Sequence, residues 1–307
     1  MIYLSGFDFP SDVDESKFFK EKTPTYYDSI YPFKFLSSKF ANLDKPYSML
    51  FGDITIIAGS NGSGKSTVLN IIAEKLKLTR SALFNYTELY EAYLCLTESR
   101  FRIDDREVMR SVMKVSRIIT SDDVFNHILD VRKKNDEINF KRDVIREKRC
   151  AYRQNPSQRP RRIDFDKPES LQAYRDYSDM TKNTLSDYVR SRNILNERGY
   201  SNGENGYRYF VNAIQPGGLY LLDEPENSLS ASLQVELSQY IRGMARFYDC
   251  QFIISSHSPF LLSIPLAKIY DMDSLPVSIV KWQDIPNVRI YYDFFKEHTE
   301  EFEQKRQ

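Results

Sequence analysis

Gly59-Ser60-Asn61-Gly62-Ser63-Gly64-Lys65-Ser66-Thr67 follows Asp53-Ile54-Thr55-Ile56-Ile57-Ala58 and precedes Val68-Leu69-Asn70-Ile71-Ile72-Ala73-Glu74-Lys75-Leu76. The first flank is β-branched and apolar, which predicts a buried strand. The second predicts an apolar helix. The nine residues between them match G-x-x-x-x-G-K-[ST], the Walker A phosphate loop, in the strand–loop–helix context that this motif requires. Glycines let the backbone curl with its N–H groups turned inward, and the helix N-terminus adds partial positive charge. In such a loop Lys65 reaches the β- and γ-phosphates and Ser66 ligates Mg²⁺.

The chain has 307 residues, 41 % of them hydrophobic, enough for one large domain or two modest ones with a sizeable core. Lys+Arg and Asp+Glu both number 43, so the chain as a whole offers no global attraction to nucleic acid or membrane. Cys95, Cys150 and Cys250 are far apart and odd in number, which argues against a disulfide framework or a structural zinc site. The start Met1-Ile2-Tyr3-Leu4-Ser5-Gly6 lacks the basic and apolar regions of a signal peptide, and no run reaches membrane-spanning length. A cytoplasmic chain without a membrane span is therefore expected.

Residues 1–58 read as strands and loops rich in aromatics. Between 101 and 200 charge is dense and glycine is absent until Gly199, so a charged, mainly helical insertion is expected over 81–198. The nucleotide-binding core would then comprise 1–80 and 199–307. From 131 to 162 there are twelve basic residues against four acidic ones, with prolines at 156 and 160. That stretch reads as a solvated helical face with a loop, as a patch for nucleic-acid phosphates, or as a docking surface for an acidic partner.

Leu219-Tyr220-Leu221-Leu222-Asp223-Glu224 is an apolar strand running into two acids, the Walker B pattern. Asp223 would hold Mg²⁺ and Glu224 would polarise the attacking water. Gln251-Phe252-Ile253-Ile254-Ser255-Ser256 reads as another buried strand, with His257 just past its end, Ser258 as a helix cap and Pro259 at the first helical position. His257 is thereby placed at the carboxyl edge of a parallel sheet, where ligands bind, and is a candidate for the γ-phosphate.

Gly199-Tyr200-Ser201-Asn202-Gly203-Glu204-Asn205 is, on composition, a turn. Taken with the phosphate loop, Leu219 to Glu224, Ser228-Leu229-Ser230 and His257, it resembles part of an ABC-class ATPase. Ser201, Asn202, Gly203 and Glu204 then resemble the signature motif, Pro225 to Ser230 the D-loop, and His257 the switch histidine. Leu221 to Ser230 together with Ser256 to Pro259 is similar to the stand-alone, SMC-like AAA-family bacterial ATPases, whose relatives include repair and phage-defence proteins. The likeness covers 50–80 and 199–275. It implies an α/β P-loop NTPase of ABC-ATPase type, with an antiparallel β subdomain and a helical insertion. ATP and Mg²⁺ are the implied cofactors and ATP hydrolysis the implied reaction. The signature of one copy would close on the ATP of another, so that ATP joins a homodimer or higher oligomer and controls a partner effector in DNA processing or antiviral defence.

Two departures stand out. The first glutamine after Lys65 is Gln154, so the family's Q-loop has no clear equivalent; Asp122 and Asp123 are the local candidates, with an exposed helix cap as the plainer reading. For an adenine-stacking aromatic upstream of the loop, Tyr31 and Phe33 stand at the right place, with core packing the plainer reading. The alternative function is the ATPase subunit of a membrane transporter. The unusual Q-loop region and the 136 positions from Lys65 to Ser201 count against it. A module that holds ATP without hydrolysing it is disfavoured by Glu224.

Overall fold

The computed structural model describes residues 1–21, 29–40, 45–103, 105–154 and 201–303, with isolated positions between 169 and 182. Two compact units divide the chain: residues 1–125 with 202–307, and residues 126–201.

The first unit is built on two sheets. Strands β1 (Leu4–Phe9), β2 (Tyr47–Leu50) and β4 (Glu98–Phe101) form an antiparallel sheet in the order β2-β1-β4. The larger sheet has the order β5-β6-β7-β3-β8-β9. Its strands are β3 (Ile54–Ala58), β5 (Arg117–Thr120), β6 (Leu219–Asp223), β7 (Gln251–Ser255), β8 (Lys268–Asp271) and β9 (Ser278–Val280). The first five in that order are parallel, and β9 returns antiparallel along β8. Every residue of β3 and β7 is buried, which explains their unbroken apolar sequence.

Helices α1 (Asp12–Glu21), α2 (Ser37–Phe40), α3 (Lys65–Leu76), α4 (Tyr90–Cys95) and α5 (Arg106–Val115) precede the long α6 (Ser121–Gln154). After it come α7 (Asn202–Ala213), α8 (Ala231–Phe247), α9 (Pro259–Leu262), α10 (Pro286–Glu297) and α11 (Thr299–Glu303). Phe7 of β1, Ile71 and Ile72 of α3, Tyr90 of α4 and Leu221 of β6 share one core.

The N-terminal region holds a helix, α1, where strands and loops are expected. Its start is a capping box: Asp14 Oδ2 accepts from Ser11 N at 3.1 Å, and Asp14 N donates to Ser11 Oγ at 3.1 Å. Residues 81–125, expected within the insertion, supply β4 to the small sheet and β5 to the large one. The compact division accordingly falls at Phe125/Asn126. Strands of four residues with polar ends leave little periodicity to detect.

One buried amide fastens the two sheets. Gln251 Oε1 accepts from Tyr3 N and Leu4 N, both at 2.9 Å. Gln251 Nε2 donates to Leu4 O at 2.8 Å and Gly52 O at 2.9 Å. Gln251→Leu strips four backbone groups of a partner in a site with no solvent access. The expected loss is about 3–5 kcal/mol, read as a lower midpoint in urea unfolding with an unchanged slope.

Candidate nucleotide site

The phosphate loop joins β3 to α3, as its sequence predicts. Gly62 (φ 78°) and Gly64 (φ 102°) adopt left-handed backbone. A Cβ on Gly64 would also meet the Phe35 ring at 3.1 Å. The loop borders a cavity of about 320 Å³ lined by Phe35, Asn61, Gly62, Gly64, Lys65, Ser66, Thr67 and Glu224.

Parallel pairing lays the carboxyl ends of the strands side by side. Thr120 of β5 is in register with Asp223 of β6, and Asp223 with Ser255 of β7. Ser255 in turn is in register with Ile57 of β3, just before the loop. Sheet topology thus delivers Asp223 and Glu224 to the start of α3, although 157 positions separate Ser66 from Asp223.

Ser66 Oγ donates to Asp223 Oδ1 at 2.9 Å, and Ser255 Oγ makes a short hydrogen bond to the same oxygen. Burial raises the Asp223 carboxyl above its ordinary value, against the lowering effect of these hydroxyls. Ser66 and Asp223 present hard oxygens at one point. No cluster of three or more His, Cys, Asp or Glu suited to a metal occurs among the described residues. Mg²⁺ fits such a pair, because it is held by one or two protein oxygens and completes its shell with phosphate and water.

Lys65 Nζ donates to Gly59 O at 3.1 Å and Ser60 O at 3.0 Å, and lies 3.3 Å from Glu224 Oε1. The other carboxylate oxygen of Glu224 accepts from Asn227 Nδ2 at 3.0 Å. The Glu224 backbone is left-handed (φ 47°, ψ 54°), a strained state for a residue with a Cβ. Its N–H is held by Ser255 O at 3.1 Å and Ser255 Oγ at 3.0 Å.

His257 sits just past β7 with its side chain 38 % exposed. The loop that carries it is fastened by Glu226, which the resemblance places in the D-loop without a role toward His257. Glu226 is 5 % exposed, and its Oε1 accepts from Ser256 Oγ at 2.8 Å, His257 N at 2.7 Å and Ser258 N at 3.2 Å. His257 Nδ1 lies 3.2 Å from the same oxygen, out of line for a hydrogen bond. Burial raises the Glu226 carboxyl. A second residue without a local signal is Asp273, whose carboxylate accepts from Ser60 N at 2.7 Å and Ser60 Oγ at 2.8 Å. It braces the residue whose carbonyl holds Lys65.

The remaining candidates divide. Asn202, Gly203 and Glu204 open α7, and a Cβ on Gly203 would meet Leu233 at 2.9 Å, so glycine permits close packing there. Ser201 belongs to the other compact unit, and no residue of 201–204 is among those lining the phosphate cavity. Asp123 is buried, and its Oδ2 accepts from Thr120 N at 2.8 Å and Thr120 Oγ1 at 2.9 Å; it caps α6, whereas Asp122 is exposed. Phe33 is core, 2 % exposed and stacked on Phe18. Tyr31 donates from its hydroxyl to Thr67 Oγ1 at 3.0 Å. Phe35, not singled out by the sequence, is the aromatic that lines the cavity.

The raised Asp223 carboxyl has a measurable consequence. An Asp whose folded value lies above its unfolded value weakens the fold as pH rises through the interval between them, because the unfolded chain ionises first. Asp223→Asn removes that term. The ligand-free variant is expected to melt above the parent at neutral pH and to converge with it in acid, as thermal melts over a pH series would show.

Residues 123–263 match a family model described as "AAA domain, putative AbiEii toxin, Type IV TA system". No curated protein matches the chain. Among solved structures it is similar to an Smc head domain bound to the C-terminal domain of ScpA, from Pyrococcus furiosus. The identity is 12 %, the TM-score 0.42, and 97 % of this chain and 100 % of that one are covered. It is also similar to a nucleotide-free ATP-binding cassette from an ABC transporter, at 16 % identity, TM-score 0.39, and coverage of 81 % and 91 %. The family match lies across the Walker B half of the parallel sheet, and the phosphate loop stands on an inner strand of the same sheet.

Proposed function

We propose that the chain binds Mg²⁺-ATP at Gly59–Thr67 and hydrolyses it to ADP and phosphate. One observation carries the reading: the ends of β3 and β6 set Ser66 against Asp223 and Lys65 against Glu224, with Lys65, Ser66 and Glu224 lining one cavity. Backbone N–H groups of the loop and Lys65 bind the phosphates. Ser66 and Asp223 would hold Mg²⁺, which would supply charge neutralisation at the phosphates. Glu224 orients and deprotonates the attacking water, and His257, held by Glu226, contacts the γ-phosphate. Phe35, which lines the cavity, is assigned to stack on adenine.

Ser201, Asn202, Gly203 and Glu204 are absent from the lining of their own chain's cavity. We assign them to the ATP of a second copy, so that ATP joins two chains and hydrolysis releases them. Such a cycle switches a partner effector in the cytoplasm, and the toxin–antitoxin wording of the family description supports a defence setting. No helix among the described residues is long and apolar enough to cross a membrane. On α6 the side chains of Arg132, Lys133, Lys134, Lys141, Arg146 and Lys148 are exposed, which supports a nucleic-acid contact along 131–162. The test is native mass with and without ATP, beside an ATPase assay. The reading predicts a doubling of mass with ATP and Mg²⁺ and steady phosphate release; a monomer at saturating ATP would remove the second-copy role of 201–204.

A further inference from the structure

A second cavity, of about 530 Å³, shares no lining residue with the phosphate cavity. Its wall is aromatic: Phe260, Trp282, Tyr291, Tyr292 and Phe295. Val288, Tyr291, Tyr292 and Phe295 form the i, i+3, i+4, i+7 stripe of α10. Val288 is buried, but the three rings are 49 %, 54 % and 52 % exposed, so this is not a filled core. The volume is that of a small-ligand site.

The polar lining narrows the ligand. Asn227, Gln234 and His257 supply amide and imidazole groups. The Arg289 guanidinium lies 5.3 Å and the Lys296 ammonium 5.9 Å from the centre of the Tyr292 ring, so two cations flank an exposed aromatic face. Among the described lining residues the only carboxylate is Glu226, whose Oε1 already accepts three donors. A hydrocarbon would make no use of Asn227 or of the two cations, whereas Gln234 is already bonded to Leu229 O and Ser258 Oγ. An organic cation would meet Arg289 and Lys296 unfavourably. A flat ring with hydrogen-bonding edges and an attached anion satisfies all three features, because any base presents a π-face to aromatic side chains.

We propose that this groove binds a nucleotide unit, its base stacked on Trp282, Tyr291 and Tyr292, its edge at Asn227, and its phosphate at Arg289 and Lys296. The site is separate from the ATP cavity but linked to it, since Asn227 Nδ2 also holds Glu224 at 3.0 Å. An occupant that draws Asn227 away would free one oxygen of the carboxylate assigned to the attacking water; this coupling rests on the proposed ATPase reading, whereas binding itself does not.

Trp282 is the single tryptophan of the chain, so its fluorescence reports the groove alone. The full chain would be titrated with adenosine 5′-monophosphate, with a short oligodeoxyadenylate and with ribose 5-phosphate, each also against Lys65→Ala. Saturable quenching by either base-bearing ligand, alike in parent and Lys65→Ala and absent with ribose 5-phosphate, is the expected result. Quenching by the monophosphate identifies a free nucleotide, and quenching by the oligomer alone identifies a single strand. Tyr292→Ala, at a half-exposed position, should weaken binding roughly tenfold, and Arg289→Gln should flatten its salt dependence. No saturable change with either ligand, or quenching indifferent to Tyr292→Ala, overturns the proposal. So does quenching lost in Lys65→Ala, which would place the occupant in the phosphate cavity and leave the ATP reading intact.

Discussion

Glu224→Gln is expected to lower ATP turnover by about 10²–10⁴-fold, the usual range for a lost general base, while ATP affinity holds or improves. The second half of that statement comes from the geometry. In the ligand-free chain both carboxylate oxygens of Glu224 are engaged, one 3.3 Å from Lys65 Nζ and one accepting from Asn227. The ammonium that must reach the γ-phosphate is thus partly neutralised by the group that must later act on water. An amide at 224 is isosteric but uncharged, so Lys65 is released toward phosphate at less electrostatic cost. The left-handed backbone is held by Ser255 through the residue's own N–H, which the substitution leaves in place. Two readouts separate the roles: phosphate release under saturating ATP, and equilibrium binding of a fluorescent ATP analogue. Native mass should show the variant retained as an ATP-bound dimer. Turnover equal to the parent's would remove Glu224 from the chemistry.

How much of this was legible beforehand follows from what each residue depends on. β3, β6 and β7 lie inside a parallel sheet, so their sequences are continuous apolar runs that need no partner to be recognised. The phosphate loop is equally plain, since its glycines and Lys65 answer to local backbone demands. Glu226 and Asp273 are another matter. Each acts on a segment far along the chain, Glu226 on Ser256–Ser258 and Asp273 on Ser60, and their neighbours in sequence say nothing of those partners. Phe35 and Phe33 are two positions apart and chemically identical, yet one is 37 % and the other 2 % exposed. The packing of Phe18, Phe19 and Tyr93 on Phe33 settles which is core. β5 escaped notice because its four residues, Arg117-Ile118-Ile119-Thr120, adjoin a long charged segment, although pairing with β6 places Thr120 beside Asp223.

Lys65→Ala tests the proposition beneath all others, that a triphosphate sits in the loop. Lys65 is 3 % exposed and its ammonium is held by Gly59 O, Ser60 O and Glu224, at the cavity edge rather than in a salt bridge elsewhere. Hydrogen bonds from a charged donor to two phosphate oxygens together correspond to a loss on the order of 10²–10⁴-fold in ATP affinity when they are removed. The ligand-free fold should change far less. The Gly59 and Ser60 carbonyls each lose one donor, Ser60 at an exposed position, and Glu224, no longer paired with Lys65, keeps its bond to Asn227. Linkage turns this into a thermal measurement. At ATP concentrations about a hundredfold above its dissociation constant, the parent gains about 2.7 kcal/mol. The variant at the same concentration gains close to nothing, so its melting temperature with and without Mg²⁺-ATP should coincide. A variant that still melts higher with ATP, by as much as the parent, would mean that the nucleotide is held somewhere other than the loop, and the roles given to Ser66, Asp223 and Glu224 would go with it.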